Sequence, residues 1–136
     1  MKIYIDGGCF PNPGEMAIGI VLENGDILEA KKIGKGTNNI AEYEACLKAL
    51  EIAEKKGWKE FTLCIDSMLV INQLSGNWKV KNPNFWEYIE KFNKLKDRFD
   101  EVNVIFVRSE ENLAHHEVEK LLNISDVPMF KFGKGK

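Results

Sequence analysis

The chain opens with Ile5-Asp-Gly-Gly8 and later carries Gly36-Thr-Asn-Asn-Ile-Ala-Glu42, and these two segments indicate the kind of protein it is. In the first segment, a hydrophobic strand runs into glycines at Asp6. In the second, amides open a helix and Glu42 lies in its first turn. A third acid, Asp66, follows another apolar run. Three carboxylates from three separate elements, each at the end of an element, predict a shared metal site.

The alternation of hydrophobic residues predicts nine elements in the order βββαβααβα. Asn24-Gly25 is typical of a type I′ hairpin turn between the second and third strands. Thr37 or Asn38 is expected to cap the first helix, which Gly57 ends. The pattern predicts an α/β fold with a mixed sheet and helices on its faces. Strands are expected over 2–6, 16–22, 26–33, 61–65 and 102–107, and helices over 38–56, 67–75, 84–98 and 111–122.

Length and composition favour a single compact domain. The chain has 136 residues, of which 44% are hydrophobic, enough for one sizeable core. We expect the domain to cover 1–123 and residues 124–136 to form a loosely ordered C-terminal tail. No apolar run approaches the ~18 residues needed to span a membrane, and the start lacks a signal peptide. A cytoplasmic, monomeric protein with no membrane association is therefore expected.

Charge and cysteine usage exclude some classes of function. The net charge of −2 argues against a strong nonspecific nucleic-acid binder, because that binding needs many lysines and arginines to neutralise phosphates. Most of the lysines are expected on solvated faces. The three cysteines, Cys9, Cys46 and Cys64, are widely spaced. They fit reduced thiols better than a disulfide framework or a zinc site.

If the side chains of Asp6, Glu42 and Asp66 lie close together, their negative charges need a cation to offset them. Glu42 alone would be explained as a side chain favourably placed at the positive end of a helix. Two carboxylates 4 Å apart, however, repel by ~4 kcal/mol at an effective dielectric near 20. Divalent cations relieve that repulsion, and oxygen ligands suit Mg²⁺ or Mn²⁺. Two such ions ~4 Å apart can activate a water and stabilise the leaving oxygen of a phosphodiester.

These residues resemble the type 1 ribonuclease H family over roughly residues 2–122. The resemblance implies a ribonuclease H-like fold, a five-stranded mixed sheet flanked by helices. It also implies an endonuclease that uses two Mg²⁺ or Mn²⁺ ions to hydrolyse the RNA strand of RNA–DNA hybrids. Asp6, Glu42 and Asp66 fall on the family's metal-binding acids. The matching motifs, in chain order, are Tyr4–Gly8, Asn12-Pro13-Gly14, Gly36–Glu42, Ile65-Asp66-Ser67 with Val70, and Asn112.

The resemblance also implies how an RNA–DNA hybrid would be bound. Residues near the minor groove would contact ribose 2′-hydroxyls, the feature that distinguishes RNA from DNA. Trp78 would pack against a deoxyribose, although an ordinary half-buried aromatic is an equal alternative, and Asn38 has the competing role of helix cap. The segment 76–84 has no long basic protrusion, as in compact archaeal-type members. The implied substrate-binding residues are Gly7, Gly8, Asn12, Asn38, Asn39, Trp78, Lys79, Lys81, Arg108 and Asn112.

One position departs from the family pattern. The family commonly ends its site with Asn-x-x-Ala-Asp, and here the matching stretch is Asn112-Leu-Ala-His-His116. His116 therefore stands where the fourth acid is usual, and it is expected to be a metal ligand and catalytic residue. A neutral imidazole binds Mn²⁺ and can also carry protons near neutral pH. His115 is expected on a polar helix face.

Two other classes of protein stay open on the sequence. One is an RNA–DNA hybrid or duplex-binding module whose catalysis is weakened because His116 replaces the usual acid. The other is an unrelated α/β domain whose acids are surface residues. Cleavage of a hybrid separates the enzyme from the binding module. Thermal stabilisation by metal separates both from the unrelated domain, because ions that bind only the native state raise its stability.

Overall fold

A computed structural model describes residues 1–123 of the chain, and the tail expected over 124–136 lies outside the described residues. Within this part the predicted order βββαβααβα is confirmed. Two short 3-10 turns, Pro83–Phe85 and Ser109–Glu111, precede the last two helices. The elements are β1 Lys2–Phe10, β2 Gly14–Leu22, β3 Ile27–Gly36, α1 Asn38–Lys56, β4 Glu60–Ile65, α2 Met68–Leu74, α3 Trp86–Lys96, β5 Glu101–Phe106 and α4 Leu113–Leu122.

The five strands form one mixed sheet, as predicted, and their order in the sheet is β3-β2-β1-β4-β5. β1, β2 and β3 pair antiparallel, whereas β4 runs parallel to β1 and β5 runs parallel to β4. The register pairs Tyr4 of β1 with Cys64 of β4. Asp6 and Asp66 each lie two residues beyond that pair, so neighbouring parallel strands bring the two acids to one end of the sheet.

The turn between β2 and β3 differs from the type I′ prediction. Gly25 has a φ of 97°, but Asn24 is not among the residues with positive φ. A type I′ turn requires positive φ at both central residues. The chain instead bonds Gly25 N–H to Leu22 O at 2.8 Å and Leu22 N–H to Asp26 O at 2.9 Å. The loop is therefore three residues long, with the glycine in the left-handed position.

Helix α1 begins and ends as predicted. The Thr37 hydroxyl oxygen accepts a hydrogen bond from Ile40 N–H at 3.3 Å, so Thr37 rather than Asn38 is the N-cap. Gly57, with a φ of 76°, ends the helix in the left-handed conformation. The helix covers the main core, which lies between the sheet and helices α1–α3 and includes Ile3, Ile5, Ile20, Tyr43, Leu50, Leu63, Val70 and Phe92.

Helices approach β1 closely from both faces of the sheet. A Cβ atom placed on Gly7 would lie 2.1 Å from the backbone oxygen of Ala41 in α1. A Cβ on Gly8 would lie 3.1 Å from Val118 Cγ1 in α4. Because successive residues of a strand point to opposite faces, α1 and α4 cover opposite sides of the sheet. The backbone of β1 therefore touches one helix directly and the other through a side chain.

The remaining sequence expectations concern thiols and membranes. Cys9, Cys46 and Cys64 are buried and free, which agrees with the prediction of reduced thiols. Among residues 1–123, no helix combines the length and the apolar character needed to cross a membrane.

The contact at Gly7 generates a stability prediction. Gly7→Ala should lower the free energy of unfolding by roughly 3 kcal/mol or more, because the new methyl group meets backbone that cannot rotate away. Gly8→Ala is the matched control, since its methyl group meets the end of a valine side chain, and it should cost distinctly less. Urea unfolding followed by circular dichroism measures both. If Gly7→Ala and Gly8→Ala lower the free energy of unfolding equally, the close approach of Gly7 to the backbone of Ala41 is wrong.

Candidate active site

Asp6 and Asp66 form the buried centre of a cavity of about 460 Å³. The side chains of Asp6 and Asp66 are only 6% and 7% exposed. The Oδ2 atom of Asp66 has no hydrogen-bond partner among the described residues. A buried charged oxygen without a partner is costly, so this atom fits a site built for a ligand. The cavity is also lined by Gly7, Gly8, Cys9, Asn38, Asn39, Glu42, Ser67, Ser109, His115, Val118 and Glu119.

The histidine of this cavity is His115 and not His116. His115 Nδ1 lies 3.1 Å from Asp6 Oδ2 and 3.7 Å from Asp66 Oδ2. One ligand atom from each of these three residues lies within 4.8 Å of the other two. The His116 side chain is 74% exposed, with Glu119 at 3.9 Å as its ionic neighbour. The expectation that His116 joins the acids is therefore corrected, and His115 takes that place.

The rotation of helix α4 explains this correction. Ala114, Val118 and Leu122 are buried and mark the side of the helix that packs on the sheet. Successive residues are rotated by roughly 100° in an α-helix. His115 therefore lies at the border of the buried side, whereas His116 lies roughly 200° from Ala114 and faces solvent. The spacing of the three apolar residues is the sequence signal that could have identified His115.

Glu42 lines the same cavity from helix α1. Because α1 begins at Asn38, Glu42 is its fifth residue rather than part of its first turn, and the helix-end explanation does not apply. Burial raises the pKa of Glu42 to about 8, with further increases from the charges of Asp6 and Asp66 and an opposing hydrogen bond from Ser67. The carboxyl group thus shares the field of the two aspartates but stands outside their tight cluster with His115.

Burial and neighbouring charges perturb the other members of the site as well. Burial raises the pKa of Asp6 to about 6, and the charge of Asp66 adds to this increase while His115 opposes it. The hydrogen bond to Asp6 raises the pKa of His115 to about 9, with the charges of Glu119 and Asp66 contributing. His115 is therefore a cation at neutral pH when no metal is bound, and its positive charge balances part of the acid cluster.

The residues of the cluster fit a divalent metal ion. Asp6 and Asp66 offer carboxylate oxygens, one of which is buried without a partner, and His115 offers a ring nitrogen. Oxygen ligands suit Mg²⁺ and Mn²⁺, and imidazole nitrogen is accepted more readily by Mn²⁺. Glu42 lines the cavity and could hold a second ion.

Three of the asparagines predicted to bind substrate lie together beside the acids. Asn38 and Asn39 line both the acidic cavity and a neighbouring groove of about 570 Å³. Asn12 lines that groove, and its Oδ1 accepts a hydrogen bond from Asn38 N–H at 3.2 Å. Asn82 and Asn84, which the sequence analysis missed, complete the polar lining. Their position in the motif Asn82-Pro-Asn84, directly after the basic segment, was the available signal.

Other predicted substrate residues lie away from the acids. Trp78, Lys79 and Lys81 are exposed in the segment between α2 and α3, and none of them lines the acidic cavity. The Trp78 side chain is open to solvent, with 48% of the residue exposed. Arg108 lies 3.3 Å from Glu111 and 3.8 Å from Glu110. Its charge is thus already paired with local acids.

Asn112 is buried and joins α4 to β1. The residue is 4% exposed. Its Nδ2 donates to Ile5 O at 2.9 Å, and its Oδ1 accepts from Ala114 N–H at 3.0 Å. Both ends of the amide are therefore occupied inside the protein. Asn112 therefore has a structural role as the cap of the helix that carries His115, and its expected substrate-binding role stays a prediction.

Comparisons with known proteins agree with this geometry. The family model described as reverse transcriptase-like matches residues 5–120. The bifunctional protein Rv2228c of Mycobacterium tuberculosis is 38% identical over 114 residues, which is 79% of this chain and 31% of that protein. RNase H1 from Halobacterium salinarum has a crystal structure that matches with a TM-score of 0.81 at 33% identity, covering 90% of this chain and 97% of that one.

A further solved structure, LC11-RNase H1 in complex with an RNA/DNA hybrid, matches with a TM-score of 0.74 at 33% identity. It covers 89% of this chain and 98% of that one. The sheet order, the flanking helices and these matches define an α/β domain of the ribonuclease H-like class. The chain belongs to the type 1 ribonuclease H family. It spans 31% of the length of Rv2228c and 54% of the ribonuclease HI of Halobacterium salinarum.

The raised pKa of Glu42 generates a prediction about stability and pH. Because folding raises the pKa of Glu42 from 4.5 to about 8, the folded state binds the proton of this carboxyl group more tightly than the unfolded state does. The resulting stabilisation of the fold is complete below pH 4.5 and is lost as pH rises through about 8. In metal-free protein, Glu42→Gln should therefore match the parent at pH 4 and melt at least about 3 °C higher at pH 9. Glu51→Gln, an exposed change on the same helix, is the control. Differential scanning calorimetry in EDTA tests this, and equal melting temperatures at pH 9 would contradict it.

Proposed function

We propose that this protein is a metal-dependent endonuclease that hydrolyses the RNA strand of RNA–DNA hybrids. The observation that carries the proposal is the cluster of Asp6, Asp66 and His115, in which the buried atom Asp66 Oδ2 has no hydrogen-bond partner among the described residues. The charge of His115 offsets only part of the negative charge of the acids, so a divalent cation would stabilise the cluster further. Its position in a ribonuclease H fold, and the hybrid bound to LC11-RNase H1, support the choice of substrate.

Each residue of the cavity has a role in this proposal. Asp6 and Asp66 would hold one divalent ion together with His115, and Glu42 would help to hold a second. The ions, when bound, supply an activated water and neutralise charge on the leaving oxygen. In the metal-free protein His115 Nδ1 lies 3.1 Å from Asp6 Oδ2, and a protonated imidazole donates its Nδ1–H to that carboxylate. The imidazole must lose that proton before Nδ1 can serve as a ligand.

The groove of asparagines provides the substrate recognition that we propose. Asn38 and Asn39 offer amide groups in the acidic cavity and Asn12 offers one in the adjoining groove, where ribose 2′-hydroxyls of a hybrid would be read. Gly7 and Gly8 line the acidic cavity beside Asp6, and their backbone would take part in the same recognition. Trp78, Lys79 and Lys81 would contact the DNA strand farther along. Because one chain supplies all of these groups, we expect the protein to act as a monomer.

The first test of this function removes the charge of the central acids. Asp6→Asn and Asp66→Asn should each lower hydrolysis of a labelled RNA–DNA hybrid by at least about 100-fold, because losing a metal ligand costs more than losing a group that merely supports one. Cleavage is measured with Mg²⁺ and with Mn²⁺, and a DNA duplex of the same sequence should not be cut. Near-parental turnover in either variant would rule out the assigned active site.

The second test separates the two histidines. His115→Ala should raise the Mn²⁺ concentration needed for half-maximal cleavage by about 10-fold, because a ring nitrogen leaves the metal cluster. His116→Ala should change it by less than about twofold, since this side chain faces solvent. Rates measured across a Mn²⁺ titration compare the two. A larger effect from His116→Ala than from His115→Ala would mean that His116, and not His115, is the metal ligand.

A further inference from the structure

Glu119 lines the acidic cavity but has no part in the mechanism described above. It lies one helical turn after His115 on α4, and its side chain is 28% exposed. Its Oε2 atom is 3.5 Å from His115 Nε2. The spacing of four residues places the two side chains next to each other on the helix surface.

The two ring nitrogens of His115 face different carboxylates. Nδ1 faces Asp6 and Asp66, whereas Nε2 faces Glu119. A neutral imidazole has one nitrogen that donates a hydrogen bond and one that accepts. The partner of one nitrogen decides which nitrogen carries the proton. When a cation lies between Nδ1 and the two aspartates, a carboxylate beside Nε2 favours the proton there and leaves the lone pair of Nδ1 for the ion.

The other acids of α4 and of the preceding turn lack this arrangement. Glu117 lies 3.4 Å from Lys120 Nζ and does not line the acidic cavity. Glu110 and Glu111 pair with Arg108. Glu119 is thus the acid of this region that reaches His115 from the side opposite the aspartates. Its second oxygen lies 3.9 Å from the exposed His116.

We propose that Glu119 is a positioning residue, which accepts the Nε2–H of His115 and holds Nδ1 toward a divalent ion bound by Asp6 and Asp66. Contacts of this kind are often long in an unliganded protein and shorten when the ligand binds. Glu119 is also the fourth carboxylate that lines the cavity, after Asp6, Glu42 and Asp66. It lies about one helical turn after His116, the position where the family's fourth acid is usual. The inference rests on the proposed function only in requiring that this cluster binds a divalent ion.

Metal affinity tests the inference without using activity. Mn²⁺ binding to the full chain is measured by electron paramagnetic resonance of the free ion, and thermal melts confirm that each variant is folded. Glu119→Ala should weaken Mn²⁺ binding by about 10-fold. Glu119→Gln keeps an oxygen acceptor and should lose less. Glu117→Ala removes the same charge from the same helix outside the cavity and should bind Mn²⁺ like the parent.

A double-mutant cycle distinguishes positioning from direct ligation. If Glu119 acts through His115, adding Glu119→Ala to His115→Ala should weaken Mn²⁺ binding no further. If Glu119→Ala is equally damaging with and without His115, Glu119 acts on the ion itself and the positioning role is wrong. Parental affinity in Glu119→Ala would overturn the inference as well.

Nuclear magnetic resonance gives a direct readout of the ring. The chain contains two histidines, so His116→Gln leaves His115 as its one imidazole signal. In the Mg²⁺-loaded protein, long-range ¹H–¹⁵N spectra should show the proton on Nε2, and Glu119→Ala should give a mixture of tautomers. An unchanged tautomer would contradict the inference.

The failure of this inference can be told apart from the failure of the proposed function. Absence of Mn²⁺ binding in the parent would overturn both. A parent that cleaves the hybrid, together with Glu119 variants whose Mn²⁺ affinity is unchanged, would overturn the inference alone.

Discussion

The close packing of helices on both faces of β1 is the constraint on which the active-site geometry depends. At Gly7 the backbone of β1 meets the backbone of α1, and this contact carries Glu42 to the cavity that holds Asp6. On the other face, Asn112 bonds to Ile5 and caps α4. Both helices are thus tied to residues adjacent to Asp6. Because protein interiors are close-packed, a shift at either contact would move a functional side chain.

The site works against the stability of the metal-free fold. The side chains of Asp6 and Asp66 are almost fully shielded from solvent, and Asp66 Oδ2 has no hydrogen-bond partner among the described residues. Burial raises the pKa values of Asp6 and Glu42. The neighbouring carboxylates raise the pKa of His115, so the protonated imidazole offsets part of their negative charge in the metal-free protein. A bound metal ion would take over that role. A divalent ion would therefore stabilise the native state as well as supply the chemistry.

Much of the fold and of the candidate site was accessible from the amino-acid sequence. The element order follows from local periodicity, because strands alternate every two residues and helices every 3.6. Thr37 and Gly57 mark the ends of α1 through their own side chain and backbone preferences. Asp6 and Asp66 are predictable as a pair because each ends an apolar run, and neighbouring parallel strands bring such ends together.

The identity of the histidine in the site was decided only by the tertiary structure. His115 and His116 are adjacent and chemically identical, and the motif alone favours His116. The packing of Ala114, Val118 and Leu122 on the sheet sets the rotation of α4 and turns His115 to the acids. The same packing brings Glu119 to the far side of the ring. Local sequence specifies that a helix forms, whereas contacts between residues distant in the chain specify which of its sides faces the site.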